Sequence, residues 1–330
     1  MALRNRYARS RVPRLAVEAL EGRDCPACIV YQAGGTVHVL GDAGANTIVI
    51  NEVPPSPLPP HLPGSLKITA DGVVHEFPAG TVRRLDVQTR GGDDWVTYKS
   101  VVAPGKDGIS SLSLSLGTGD DIADITVMRR TAPPSDYDGS WSLAVDASAG
   151  DDAVVTRFGM IDFHSARVHA NLGIGNDTFA ALFSGPIADA NGQPAVIRLN
   201  VQGGAGDDSM ELEALTQAER PDLTAVFQGE GGSDHITMGV AFSGDTPSRV
   251  RLQALAGAGD DLVSVYLSNS TPPGEFHNSV VIDGGAGSDD LTFDGLGDTP
   301  CDAVIDGGMG FDVVSLGEIS AQLRNCELVL

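Results

Sequence analysis

Residues 203–210 read Gly203-Gly204-Ala205-Gly206-Asp207-Asp208-Ser209-Met210, a glycine-rich run closed by an aspartate, with an apolar residue two positions further on. The form returns as Gly284-Gly285-Ala286-Gly287-Ser288-Asp289-Asp290-Leu291 and as Gly307-Gly308-Met309-Gly310-Phe311-Asp312-Val313-Val314. Looser copies end at Asp121, Asp177, Asp234 and Asp261. Taking the residue that closes each run as an anchor gives Asn46, Asp94, Asp121, Asp152, Asp177, Asp208, Asp234, Asp261, Asp289 and Asp312, with a mean spacing of about 27 residues from Asp94 onward. A glycine stands two residues before every anchor, from Gly44 and Gly92 to Gly287 and Gly310. With glycine filling only 41 of 330 positions, that regularity identifies an internal repeat.

The flanks of each run have their own register. Two residues after the anchors stand Ile48, Val96, Ala123, Val154, Phe179, Met210, Ile236, Val263, Leu291 and Val314. Seven and nine residues before them the chain is apolar again, as in Val39 and Val37, Leu114 and Leu112, Val201 and Leu199, or Ile305 and Ala303. Period two on both arms means strands with one buried face. Each unit is therefore strand, glycine-rich turn, strand and a loop of variable length. The glycine before each anchor is explained by a positive φ angle or by close backbone approach between units. A unit this short cannot bury its own apolar face, whereas stacked units share a core, and it is too short for a four-stranded propeller blade of ~40 residues. The expected fold is all-β: a parallel β-solenoid, β-helix or β-roll-like, of about ten coils with one Gly/Asp-rich turn per coil.

The longest interval, from Asn46 to Asp94, leaves room for a Pro-rich insertion at about 53–64, followed by a hairpin over Leu66 to Phe77 centred on Asp71-Gly72. Pro133-Pro134 and Pro272-Pro273 fall in loops between strands, where a missing backbone donor matters least.

Charge divides the chain. Lys and Arg number 21 against 44 Asp and Glu, a formal net charge of −23. Residues 1–24 nevertheless carry six arginines against three acids, which leaves 15 bases and 41 acids for the rest. So acidic a body disfavours nucleic acid and anionic lipid as partners. Apolar runs are far shorter than the ~18 residues of a membrane span. We therefore expect a monomer without a membrane span, divided into a basic leader over 1–24 and a solenoid domain over 25–330. The leader lacks the apolar stretch of a simple cleaved signal peptide. It reads either as a frayed tail or as a short helix opened by Pro13, with Leu15, Ala19 and Leu20 on one face and Gly22 ending it. Val17-Glu18-Ala19-Leu20-Glu21-Gly22-Arg23, followed by Pro26-Ala27, resembles the LEPR-XLL segment at the N-terminus of exported bacterial proteins, which implies an extracellular or cell-surface location.

The glycine-rich turns resemble the RTX, or hemolysin-type, calcium-binding repeats of secreted bacterial proteins, most closely from Gly203 onward. The resemblance implies calcium held between stacked turns by Asp121, Asp177, Asp208, Asp234, Asp261, Asp289 and Asp312. It also implies contributions from the turn backbone at Gly203, Gly204, Gly206, Gly229, Gly257, Gly259, Gly284, Gly285, Gly287, Gly307, Gly308 and Gly310. This chain departs from the family by repeating the motif once per coil of about 27 residues instead of every nine, so that calcium lines one edge only. Electrostatics gives a separate reason for a cation: aspartates stacked ~5 Å apart repel by ~3.5 kcal/mol per pair at an effective dielectric of 20. Adjacent Asp120, Asp151, Asp207 and Asp260 add to the column. Calcium accepts six to eight oxygens, carbonyls included, in irregular geometry. The competing reading is turn chemistry alone, with each Asp capping its own backbone and pointing into solvent.

Cys25-Pro26-Ala27-Cys28 lacks the βαβ setting of a redox pair, and joining it to Cys301 and Cys326 as a zinc site would span the rod. Cys326 is expected to stack over Cys301, as a disulfide or as two buried thiols. No HExxH, GxSxG or P-loop motif is present, and His164 and His169 face opposite sides of a strand. No catalytic residue is assigned. The expected function is an exported, calcium-binding structural or surface-interaction module, with extracellular polysaccharide or surface proteins as partners. Two alternatives stand beside it. One is a calcium-free adhesive scaffold; the other is a carbohydrate-active β-helix enzyme, for which acids clustered beside Arg249 or Arg251 in a groove would be the mark.

Overall fold

The computed structural model describes residues 28–54, 64–101, 108–128, 139–161, 164–187, 195–216, 222–242, 249–269, 277–296, 301–317 and 321–330. The basic leader, Cys25, the prolines of 55–63 and the two Pro-Pro pairs lie outside the described residues.

In chain order the strands are β1 (Ile29–Ala33), β2 (Thr36–Leu40), β3 (Thr47–Val53), β4 (Ser65–Ala70), β5 (Val73–Pro78), β6 (Arg84–Gln88), β7 (Trp95–Ser100), β8 (Ser111–Thr118) and β9 (Ile122–Met128). Next come β10 (Ser140–Ala149), β11 (Ala153–Ile161), β12 (Ser165–Ile174), β13 (Thr178–Ile187), β14 (Val196–Ala205), β15 (Ser209–Thr216), β16 (Asp222–Gly231) and β17 (His235–Phe242). The chain closes with β18 (Arg249–Ala258), β19 (Leu262–Asn269), β20 (His277–Ala286), β21 (Asp290–Leu296), β22 (Cys301–Asp306), β23 (Val313–Leu316), β24 (Gln322–Arg324) and β25 (Leu328–Val329).

They form a two-sheet parallel β-solenoid. From β6 onward the even-numbered strands continue one sheet, in the order β1-β2-β6-β8 and on to β24. The other sheet runs from β25 through β23 and β21 down to β7, β3, β4 and β5. Among the described residues each sheet contains eleven parallel strands, so the expected count of ten coils is slightly low; the additional coil is the short β24 and β25. The apolar positions of both arms meet inside, where Val39, Val87, Leu114, Ala170, Val201 and Phe227 from one sheet join Ile48, Val96, Phe179, Met210 and Ile236 from the other in a single core. Within it Trp141 packs edge-on against Phe158, which stacks on Phe183 with ring centroids 4.7 Å apart.

Asp71-Gly72 turns the β4–β5 hairpin with φ of 46° and 81°, the left-handed pair that the sequence predicts. This hairpin and the antiparallel β1 close the first coil's edges, limiting free pairing there. Among the described residues Glu52 is a buried acid inside the coil, away from the turns. Glu52 accepts hydrogen bonds from the Tyr98 hydroxyl and the Ile109 amide, and burial pushes its carboxyl up to about 7.

The cysteine expectation is overturned. Val304 pairs with Gln322 and Ile305 with Leu323, because the last coil is shorter than the repeat. Cys326 therefore lies beyond β24, its Sγ 2.8 Å from the Arg324 carbonyl oxygen, while Cys301 pairs with Asn278 in β20; both are free thiols.

Candidate functional site

The ten anchors stack into one file along the glycine-rich edge, and all of them are buried. Neither sequence reading anticipated their hydrogen bonding. Each aspartate caps the backbone of the preceding coil: the Asp177 amide donates to Asp208 Oδ1 at 2.8 Å, the Asp208 amide to Asp234 Oδ1 at 2.8 Å and the Asp234 amide to Asp261 Oδ1 at 2.7 Å. The ladder begins with the Asn46 amide on Asp94 Oδ1 and ends with the Asp312 amide on Glu327 Oε2. Aspartate suits this place because its short side chain reaches one coil back and no further. Asn46 needs no carboxylate, since it has no earlier anchor amide to cap; its side chain donates to Asp42 and Asp71 instead.

The residues just before the anchors form a second, exposed ladder of opposite polarity. Here the amide of the later coil donates to the earlier one: Asp151 to Asp120 Oδ1, Asn176 to Asp151 Oδ1, Asp207 to Asn176 Oδ1 and Ser233 to Asp207 Oδ1. Every turn in this stretch is thus tied to its neighbours in both directions.

Glycine makes the close stacking feasible. A Cβ at Gly150, Gly175 or Gly206 would lie 1.8 Å from the carbonyl oxygen of the matching glycine one coil earlier, and all three have positive φ. Both causes inferred from the sequence therefore operate. Four residues before the anchors runs another column of positive φ, in which Gly117, Gly173, Gly204, Gly257, Gly285 and Gly308 are interrupted by Arg90, Ser148 and Glu230 at 79°, 75° and 76°.

The other carboxylate oxygen defines the chemistry. Oδ2 of Asp94, Asp121, Asp152, Asp177, Asp208, Asp234, Asp261, Asp289 and Asp312 is buried without a hydrogen-bond partner. Beside it, five residues before the anchor, lies space that a glycine leaves open. The point where a Gly229 Cβ would sit is 2.1 Å from Asp234 Oδ2 and 2.3 Å from the Ala256 carbonyl oxygen. At Gly284 the corresponding distances are 2.4 Å to Asp289 Oδ2 and 2.5 Å to the Gly307 carbonyl oxygen. A carboxylate oxygen and a carbonyl oxygen of the next coil are thus close together with no donor between them, an arrangement that calls for a proton or a cation. Burial is the main cause that pushes Asp121 up to about 6 and Asp152, Asp208 and Asp261 up to about 7, with neighbouring aspartates adding to it. Asp94, Asp177, Asp234 and Asp289 are raised as well, first by burial.

Among the described residues no three His, Cys, Asp or Glu side chains converge as a metal cluster. A cation in this file would therefore take carboxylates at one per coil and complete its shell from backbone carbonyls, a donor set that suits calcium. Arg249 and Arg251 lie on the outer face of β18, where Asp222 and Thr224 of β16 are their strand partners; Asp222 is the one acid in those two pairs. No helix among the described residues is long and apolar enough to cross a membrane. Compared with protein-family models, curated proteins and solved structures, the chain matches none.

Proposed function

We propose that this β-solenoid is an exported structural and surface-interaction module whose glycine-rich edge is stapled by calcium. The observation that carries the reading is the file of nine buried Oδ2 atoms without partners, aligned from Asp94 to Asp312. Ionised and uncompensated, such a file opposes the stacking that builds the core. Calcium shared between successive carboxylates and turn carbonyls reverses the sign of that term, and the RTX-like form of the turns points to the same ion. Export is supported by the LEPR-XLL-like segment from Val17 to Ala27.

Calorimetric titration of the chelator-treated full chain, paired with thermal melts, tests the metal. Calcium is expected to bind at several sites and to raise the melting temperature, magnesium to do so far less. Absence of binding heat together with an unmoved melting temperature would leave a calcium-free scaffold.

A further inference from the structure

The sheet formed by the even-numbered strands carries on its outer face a row that contrasts with the acidity of the chain. Strand register places Thr36, Arg84, Ser111, Ser142, Arg167, Arg198, Thr224, Arg251 and Ser279 side by side. From Arg84 to Ser279 the row holds four arginines and no acid, on a protein of net charge −23. Arg198 is held by Asp222, with Nη1 3.0 Å from Oδ1. Arg84, Arg167 and Arg251 are exposed and have no hydrogen-bond or ion-pair partner among the described residues.

Between Arg84 and Arg167 lies a trough of about 490 Å³ floored by Ser110, Ser111, Ser140, Ser142 and Ser165. It continues past Arg167 and Ser142 into a second hollow of about 500 Å³ bordered by His169, Arg198, Asn200 and Thr224. From β6 to β16 the pair spans five strand steps, ~24 Å at the usual strand spacing. Three features set the occupant: a length that exceeds any small metabolite, a floor that is serine hydroxyls between Arg84 and Arg167 and mainly apolar beyond, where Leu143, Ala144, Val168, Leu199 and Val226 line it, and guanidinium groups spaced along the wall, those of Arg84 and Arg167 with free donor forks.

We infer that this groove binds a linear, hydroxyl-rich polymer bearing carboxylates at intervals, an acidic polysaccharide of the polyuronate type lying along the solenoid axis. The serine floor exchanges hydrogen bonds with sugar hydroxyls, and Arg84 and Arg167, with Arg251 one strand beyond the end of the second hollow, receive carboxylates bidentately. The inference names a partner for the surface module proposed above and does not depend on calcium, since the groove lies on a sheet face and the aspartate file on an edge.

The test uses a matched pair of probes, a galacturonate hexamer and its methyl ester, which differ in charge and by one methyl group per sugar, with binding to the full chain read by fluorescence polarisation in chelator and in calcium. The acid is expected to bind and the ester to bind at least about tenfold more weakly, the equivalent of one lost charge-assisted hydrogen bond. Arg84→Gln combined with Arg167→Gln should weaken the acid at least tenfold, whereas Arg157→Gln, on the other sheet, should not. Arg84 and Arg167 are exposed, so circular dichroism and melting temperature of the double variant should be unchanged; Arg157, half-buried and paired with Asp124, controls for loss of a guanidinium elsewhere. Equal affinity for acid and ester, insensitivity to the double substitution, or tighter binding of single-stranded DNA of similar length would overturn the assignment. Recovery of shortened oligomers after incubation would support the ligand class while overturning the non-enzymatic module reading; failure to bind the acid would overturn the ligand class alone.

Discussion

The Asp208 side chain has two oxygens with separate tasks, and substitution separates them. Oδ1 accepts the buried Asp177 amide, so Asp208→Ala leaves that donor unpaired and should cost about 1–3 kcal/mol in urea denaturation. Asp208→Asn keeps an acceptor for the amide and brings an N–H donor to the oxygen-lined side. In chelator it should match or exceed the parent in stability while losing part of the calcium response. Equal losses for both variants would mean that the amide cap is not what the carboxylate supplies. The remaining oxygen sets the pH dependence. In the unfolded chain these carboxyls titrate near ~4; in the fold Asp121 titrates at about 6 and Asp152, Asp208 and Asp261 at about 7. Between those limits the folded state holds more protons than the unfolded one. The contribution is therefore complete below the unfolded value and is lost as pH rises through 6 to 7, opposite to the usual carboxylate behaviour. Glu52, raised to about 7 by burial, has the same sign. Melting in chelator should accordingly occur at higher temperature at pH 5 than at pH 8, and a melting temperature that climbs with pH would contradict the buried file.

At the scale of the turn, the column four residues before the anchors offers a graded test. Ser148 sits at φ 75°, a conformation that costs an L-residue about 1–2 kcal/mol and glycine almost nothing. Ser148→Gly should therefore stabilise the protein, by about 1 kcal/mol or less once the added freedom of the unfolded chain is counted, as read from the urea midpoint. How much of this was legible in the sequence depended on spacing. Strands, turns and buried faces followed from residues at fixed offsets from each anchor, and offsets within one unit are unaffected by loops of variable length. The direction of each Asp was not legible, because its partner lies a whole coil away. Glu327 was missed as the last acceptor because its coil is shorter and ends in the longer acid. The arginine row stands ten residues before each anchor, in the same register as the core but on the outward phase, where four arginines and, in the last unit, Asp302 interrupt a pattern of serine and threonine. It became a groove once adjacent coils were placed side by side.

For the whole molecule, stability accumulates by stacking. Each inner strand pairs only with the strand before and the strand after it in its sheet, so cohesion is a chain of nearest-neighbour interfaces without long-range closure. A defect in the middle should then remain there. Gly206→Ala provides one: the new Cβ would meet the Gly175 carbonyl oxygen at 1.8 Å, contact with backbone that no side-chain rotation relieves, at a φ of 133° that alanine rarely adopts. The coil must shift away from its predecessor, breaking the Asp177-to-Asp208 and Asp207-to-Asn176 bonds that cross that interface. Hydrogen exchange of the variant should show lost protection in β12 to β15, with β6 to β9 and β18 to β21 keeping theirs, and denaturation should broaden as the two flanking stacks unfold separately. A uniform loss of protection from β2 to β22, with one sharp transition, would instead mean that the shared apolar core couples all the coils into one cooperative unit.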